Sequence, residues 1–143
     1  MNYLRKRWVK FLVGDISANG VAAGFALGTF VALLPTFGFG IFFVLWIVIL
    51  FPKINKPAAI LAMAFWNPIF QAPVYSVSFL LGNELFGGLS IVVYKIEILS
   101  QIYNFTRRFL VAHIIVSLVV SALAYIIGYH VGKRVEKQNK KLI

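Results

Sequence analysis

The chain reads as an all-α, multispanning helical membrane protein with about four crossings, Pro-broken or re-entrant segments and one interfacial amphipathic helix. Three observations predict this. Of 143 residues, 61% are hydrophobic, well above the ~45–50% of ordinary soluble domains. The excess is gathered into runs: no Asp, Glu, Lys or Arg occurs from Ile16 to Pro52, from Pro57 to Asn83 or from Phe109 to Gly132. Each run exceeds the ~18 residues that mark a crossing candidate. The net charge is +10, from 14 basic and 4 acidic residues, and the basic residues flank the runs, as expected beside anionic headgroups. No basic patch is interleaved with exposed aromatics, so no nucleic-acid partner is expected. There is no cysteine, which excludes disulfides and cysteine-ligated metals.

The elements follow in order within one helical domain, residues 1–143. Residues 1–15 form a retained cytoplasmic amphipathic lead-in. Asp15 interrupts its apolar stretch, and the run that follows is too long for a signal-peptide core of ~7–15 residues. The first crossing runs from about Ser17 to Leu34. Pro35-Thr36-Phe37-Gly38 makes a turn, and the second crossing runs from about Phe39 to Phe51. Counted from Phe37 it spans about 15 residues, or ~22 Å, which is short of a ~30 Å hydrocarbon core and sinks the turn below the surface. "FPKINKP" is a polar loop. The third region, 57–83, contains Asn67-Pro68 and Pro73, so it is either a twice-broken span or a re-entrant hairpin. Residues 84–108 carry Lys95 and Glu97 among apolar residues and read as the interfacial helix. The fourth crossing runs from Phe109 to about Gly132, and 133–143 is a basic cytoplasmic tail.

Four crossings put both ends on one side. That side holds Arg5, Lys6, Arg7, Lys10, Lys53, Lys56, Lys133, Arg134, Lys137, Lys140 and Lys141; the other holds Lys95, Arg107 and Arg108. Positive-inside then makes both termini cytoplasmic and the protein a multi-pass cell-membrane protein. Small residues recur every fourth position at Gly20, Gly24, Gly28 and Ala32, and again along Ser117, Ser121, Ala124, Gly128 and Gly132. In lipid such stripes let backbones approach, so these two faces are expected to pack on each other or on a second copy of the chain.

"GFALGTFVALLPTFGFG" followed by "INKPAAILAMAFWNPIFQAPVYSVSFLLG" resembles the small bacterial and archaeal membrane family called domain of unknown function 2062. The resemblance rests on Pro35 and Gly38, Asn55 and Pro57, Asn67 and Pro68, Tyr75 and Gly82 in that order. It covers roughly residues 15–135. Phe37-Gly38-Phe39-Gly40 stands where many relatives carry a Gly-x-Gln. The resemblance implies an integral membrane protein with no assigned activity. Fusion of some relatives to glycosyltransferases of the polyprenyl-phosphate-sugar type implies lipid-linked envelope chemistry.

No paired-His, nucleophile-elbow or phosphate-loop motif is present. The chain is therefore expected not to be an enzyme, with no metal and no cofactor. Asp15 is read as a cap at the start of the first crossing, Glu97 as a partner of Lys95 or Arg107, and Glu136 as solvated. His113, inside the last crossing, is an ionisable group at depth; its plainer reading is a neutral imidazole bonded to a neighbouring helix. The expected function is handling or transport of a lipidic or amphiphilic substrate. Pro35, Gly38, Asn67, Pro68, Gln71 and Glu84 would line its site, and Arg107 and Arg108 would hold an anionic lipid headgroup. A non-catalytic scaffold for an envelope enzyme is the alternative, and a channel would require an oligomer. The two main readings separate on one feature. A transporter needs Asn67, Gln71 and Glu84 on a shared cavity, whereas a scaffold needs them only to satisfy broken backbone.

Overall fold

The computed structural model describes residues 14–36, 38–87 and 95–142. Among these are five helices and no strand: α1 (Ala18–Leu33), α2 (Gly40–Leu50), α3 (Lys56–Phe65), α4 (Pro68–Phe86) and α5 (Glu97–Leu142). Most of the expected lead-in, Phe37 and the segment 88–94 lie outside the described residues.

Among the described residues, α5 is the one helix long and apolar enough to cross a membrane, so four crossings are not found. α1, α2 and α3 have 16, 11 and 10 residues, or ~24, ~16 and ~15 Å of helix. Turn chemistry divides them. Each of Pro35, Pro57 and Pro68 disfavours helix at the residue before it. α5 runs unbroken for 46 residues because no Gly or Pro occurs between Glu97 and Gly128. It therefore absorbs residues 97–108, about half of the expected interfacial helix, and the basic tail as well as the last crossing. Glu84 belongs to α4. Pro73 also departs from expectation: it lies inside α4 rather than ending it, since a proline in an otherwise regular helix removes one donor.

Three helix starts, those of α1, α3 and α4, are capped by side chains. The Ser17 hydroxyl accepts from Gly20 N–H at 3.1 Å. Asp15 acts one step further out, accepting from the Ser17 N–H at 2.9 Å and hydroxyl at 2.7 Å. Asn55 caps α3, accepting from Ala58 N–H at 2.9 Å. Asn67 caps α4, accepting from Ile69 N–H at 3.0 Å and Phe70 N–H at 3.3 Å. Asn followed by Pro at the first helical turn is a start signal with a mechanism, a side-chain acceptor and then a residue with no N–H to lose.

Contacts along α5 order the pieces. Gly132 lies against Ala18 and Gly128 against Ala22 and Phe25. His113 reaches Leu33 and Ser78, and Gly82 lies against Arg108. α1 and α4 thus follow one another along a single spine, both antiparallel to α5. α3 runs beside α1 in the same direction, so 57–83 is a broken traverse and not a hairpin. One apolar cluster joins Val31, Val44, Val48 and Ala59 from α1, α2 and α3. A second joins Leu33, Val74 and Val116 from α1, α4 and α5.

The two small-residue stripes do not meet. α1 lies between their partners: Gly24 and Gly28 face α3, where a Cβ would strike the Asn55 and Ala59 carbonyl oxygens. Gly128 and Gly132 approach the other side of α1, where a Cβ would come within 3.0 Å of Ala22 Cα and 2.8 Å of Ala18 Cα. Gly20 abuts Asp15 at the start of its own helix. Asn55 fastens the α1–α3 seam, donating from its backbone to the Gly20 carbonyl at 3.0 Å and from Nδ2 to the Asp15 carbonyl at 3.1 Å. Gly28→Leu is expected to force α1 and α3 apart and to cost about 1–3 kcal/mol. The thermal unfolding midpoint in detergent reads this; an unchanged midpoint would mean the close approach is dispensable.

Candidate functional site

α1 ends where Leu34 turns extended, ψ 145°, before a proline that has no N–H to continue the ladder. Its last carbonyls have no partner within the helix, and side chains from two other helices supply one. His113 Nε2 lies 2.6 Å from the Leu33 carbonyl oxygen. Gln71 Nε2 donates to the Ala32 carbonyl at 3.2 Å and to the Trp66 carbonyl, beyond the end of α3, at 2.8 Å. One amide thus closes the ends of two helices. The Tyr75 hydroxyl donates to Gln71 Oε1 at 3.1 Å, and Trp66 Nε1 donates to Thr29 Oγ1 at 3.1 Å.

His113 is fully buried. Its Nδ1 lies 2.8 Å from Ser78 Oγ, which lies 2.7 Å from the Val74 carbonyl oxygen. The rings of Tyr75 and Phe109 lie near-parallel to the imidazole, centroids 4.9 and 5.2 Å away. Beside this cluster is a cavity of about 440 Å³ lined by Pro35, Gly38, Trp66, Gln71 and Tyr75. Gly38 shapes its rim with φ +91°, a conformation glycine adopts without a Cβ penalty.

The expected site residues therefore divide. Pro35, Gly38 and Gln71 share the cavity. Asn67 and Pro68 open α4, with Asn67 exposed and occupied as its cap. Glu84 is exposed near the far end of α4. Asn67, Gln71 and Glu84 do not line one cavity; Asn67 Oδ1 and Gln71 Nε2 serve backbone groups, while Gln71 Oε1 accepts from the Tyr75 hydroxyl.

The arginine pair also divides. Arg107 sits over the Tyr103 ring at 5.7 Å. Arg108 lines a second cleft of about 680 Å³ between α4 and the first turns of α5, with Lys95, Glu97, Asn83 and Asn104 and the rings of Phe79 and Phe105. Gly82 brings α4 close enough to form this cleft, its Cα side facing the Arg108 carbonyl. Glu97 thus shares a cleft with Lys95, and Glu136 accepts from Lys140 at 2.9 Å and from Ala18 N–H at 3.3 Å. Among the described residues no three His, Cys, Asp or Glu side chains gather as a metal site.

Among the described residues, small-residue seams and caps built from Asn and Pro define a helical protein with one span-length helix and clefts between its helices. A family described as "Uncharacterized protein conserved in bacteria (DUF2062)" matches residues 1–141, and the chain belongs to it. No curated protein and no solved structure matches the chain.

Sequence reasoning passed over Tyr75 and Ser78 as site residues and treated Asn55 only as part of a motif. A signal was present: Gln71, Tyr75, Ser78 and Gly82 recur at helical spacing and mark one face of α4. Gln71→Leu strands the Ala32 and Trp66 carbonyls and is expected to cost about 1–3 kcal/mol for each buried group left unpaired. Asn67→Ala loses only an exposed cap, about 1 kcal/mol. Denaturation in detergent is expected to rank Gln71→Leu as the more damaging; the reverse order would dismiss the shared cap.

Proposed function

We propose that the chain is a membrane-embedded, non-catalytic protein that binds an anionic amphiphile in the cleft holding Lys95 and Arg108. That cleft is the observation that carries the reading. It pairs two cations and the Asn83 and Asn104 amides with the aromatic walls of Phe79 and Phe105. A phosphate-bearing headgroup suits the first set, and an acyl or isoprenoid chain suits the second. Glu97 on the same cleft leaves one net positive charge, which favours a singly charged headgroup.

The membrane setting is supported by α5 and by the surface around it. Only 28% of the most apolar window of α5 is buried within the protein, unlike the core helix of a soluble domain. Phe42, Trp46 and Ile69 are 65%, 63% and 79% exposed. The charge-free part of α5, Phe109 to Gly132, is ~36 Å long, enough to cross a ~30 Å core. Lys133 and Arg134 bound it at one end, where α1 and α3 also begin beside Lys53 and Lys56. Arg107 and Arg108 bound it at the other. Positive-inside places the first end in the cytoplasm and the amphiphile cleft at the outer interface.

A scaffold role is favoured by a different observation, the commitment of Asn67 and Gln71 to backbone. Native mass spectrometry of the protein extracted with its own lipids separates the two. The binding reading expects a retained anionic lipid, about tenfold depleted in Arg108→Gln, whether the chain is a monomer or an oligomer. Bulk phospholipid alone, indifferent to Arg108, would favour the scaffold.

A further inference from the structure

We propose that the groove between α2 and α5 is a second lipid site, which takes the acyl chains of an anionic glycerophospholipid whose phosphate is held by Arg107. This site depends on the membrane setting of the chain and not on the cleft lined by Arg108. Arg107 and Arg108 are neighbours on α5, so they leave the helix about 100° apart around its axis. Arg108 serves the α4 side. Arg107 belongs to another face, with Tyr103, Leu110 and Ile114 at successive spacings of four, three and four residues, which is one stripe of a helix.

Leu110 and Ile114 form one wall of a groove of about 810 Å³, within the ~300–1,000 Å³ of ligand sites. The opposite wall is α2 and its cap, which present Phe39, Phe42, Phe43 and Trp46 at helical spacing. None of the described residues lining the groove is charged. All four of these rings are at least half exposed, so the protein builds the wall without filling the space beside it. The groove starts at the outer end of the charge-free stretch, since Leu110 follows Phe109. It then runs inward. Gly40 meets Val31 late in α1, and Ile54, beyond the end of α2, meets Gly14 before the start of α1. α2 therefore descends toward the cytoplasmic end. Arg107 to Ile114 is about 10 Å along α5, and Phe39 to Trp46 is about 10 Å along α2.

The charge stands at the right end of this groove. Arg107 lies one turn outward of Leu110, and its guanidinium sits over the Tyr103 ring at 5.7 Å. The side chain thus leans away from the groove and toward the headgroup layer, as a long basic side chain near a helix end in lipid does. Stacking engages the planar face of the guanidinium. Its five N–H donors lie along the edges, where they match phosphate oxygens in pairs and are numerous enough to serve other partners as well. Phosphate at Arg107, then hydrocarbon past Leu110, Ile114 and Trp46, is the order of groups in a phospholipid standing in the outer leaflet. The exposed rings open the groove to the bilayer, so leaflet lipid enters it sideways. One cation above an apolar groove selects for negative charge and not for a particular headgroup, which is why an ordinary anionic glycerophospholipid is the occupant.

Tryptophan quenching by lipids brominated on their acyl chains tests this. The full chain is reconstituted into phosphatidylcholine vesicles containing phosphatidylglycerol. The chain has 3 tryptophans, and the part of the signal lost in Trp46→Phe reports the groove. Bromine on phosphatidylglycerol is expected to quench Trp46 more than bromine on an equal share of phosphatidylcholine. The expected preference is about fivefold in relative binding, the worth of one basic residue beside anionic lipid. It is expected to vanish in Arg107→Gln and to return in Arg107→Lys. It is expected to persist in Lys137→Gln, which removes an exposed charge at the other end of α5. Equal quenching by both lipids, or a preference that survives Arg107→Gln, would overturn the inference. So would a Trp46 that neither brominated lipid reaches in protein that floats with the vesicles, because a second copy of the chain would then cover the groove. Protein that does not float with the vesicles would refute the membrane setting itself, and this site with it.

Discussion

The end of α1 governs the architecture. A helix stopped by proline leaves carbonyl oxygens that need donors. Two donors, His113 and Gln71, come from helices that are remote in sequence, and each can reach only if its helix lies where it does. Gln71 fixes the first turn of α4 against the ends of both α1 and α3. His113 fixes the register of α5 against α1. Much of the remaining packing is compatible with that placement: small residues along the α1–α5 and α1–α3 seams, and Gly82 where α4 meets α5.

The same junction divides the molecule into two regimes. Toward the α1 start, backbones touch through Gly24, Gly28, Gly128 and Gly132, and few side chains intervene. Toward the α4 end, packing is by rings: Phe79 with Phe105 at 6.1 Å, Phe105 with Phe109 at 5.6 Å and Tyr75 with Phe109 at 6.0 Å. Small residues bring helices together closely and leave little room between them. Rings hold helices further apart and leave clefts, which is why the cleft lined by Lys95 and Arg108 lies in the second regime.

Much of the all-helical class was legible in the sequence, because charge-free runs and their flanking lysines report solvent directly. The family was legible from Pro35, Asn55, Asn67 and Gly82 in order. The number of spans was not. A run of apolar residues gives length along the chain, whereas span length depends on where capping and proline divide the run, and Asn55 and Asn67 each start a new helix. Continuity was misjudged in the opposite direction at residue 108, where two charges suggested a boundary that backbone hydrogen bonding ignores. The candidate site was legible in its parts. Gln71 and His113 each stand out as polar groups in apolar runs, but their meeting at the end of α1 depends on contacts 39 and 80 residues apart, which periodicity does not encode.

The separation of 80 residues between Leu33 and His113 also sets an order of events during synthesis. α1 and α3 are made close together, and their seam can form while the ribosome is still building α4. The imidazole that closes α1 does not yet exist at that stage. Until α5 is made, the Leu33 carbonyl must be satisfied by water or by another protein. The nascent chain is thus a set of short helices with an open end, and the final helix serves both as a spine and as the latch that completes them.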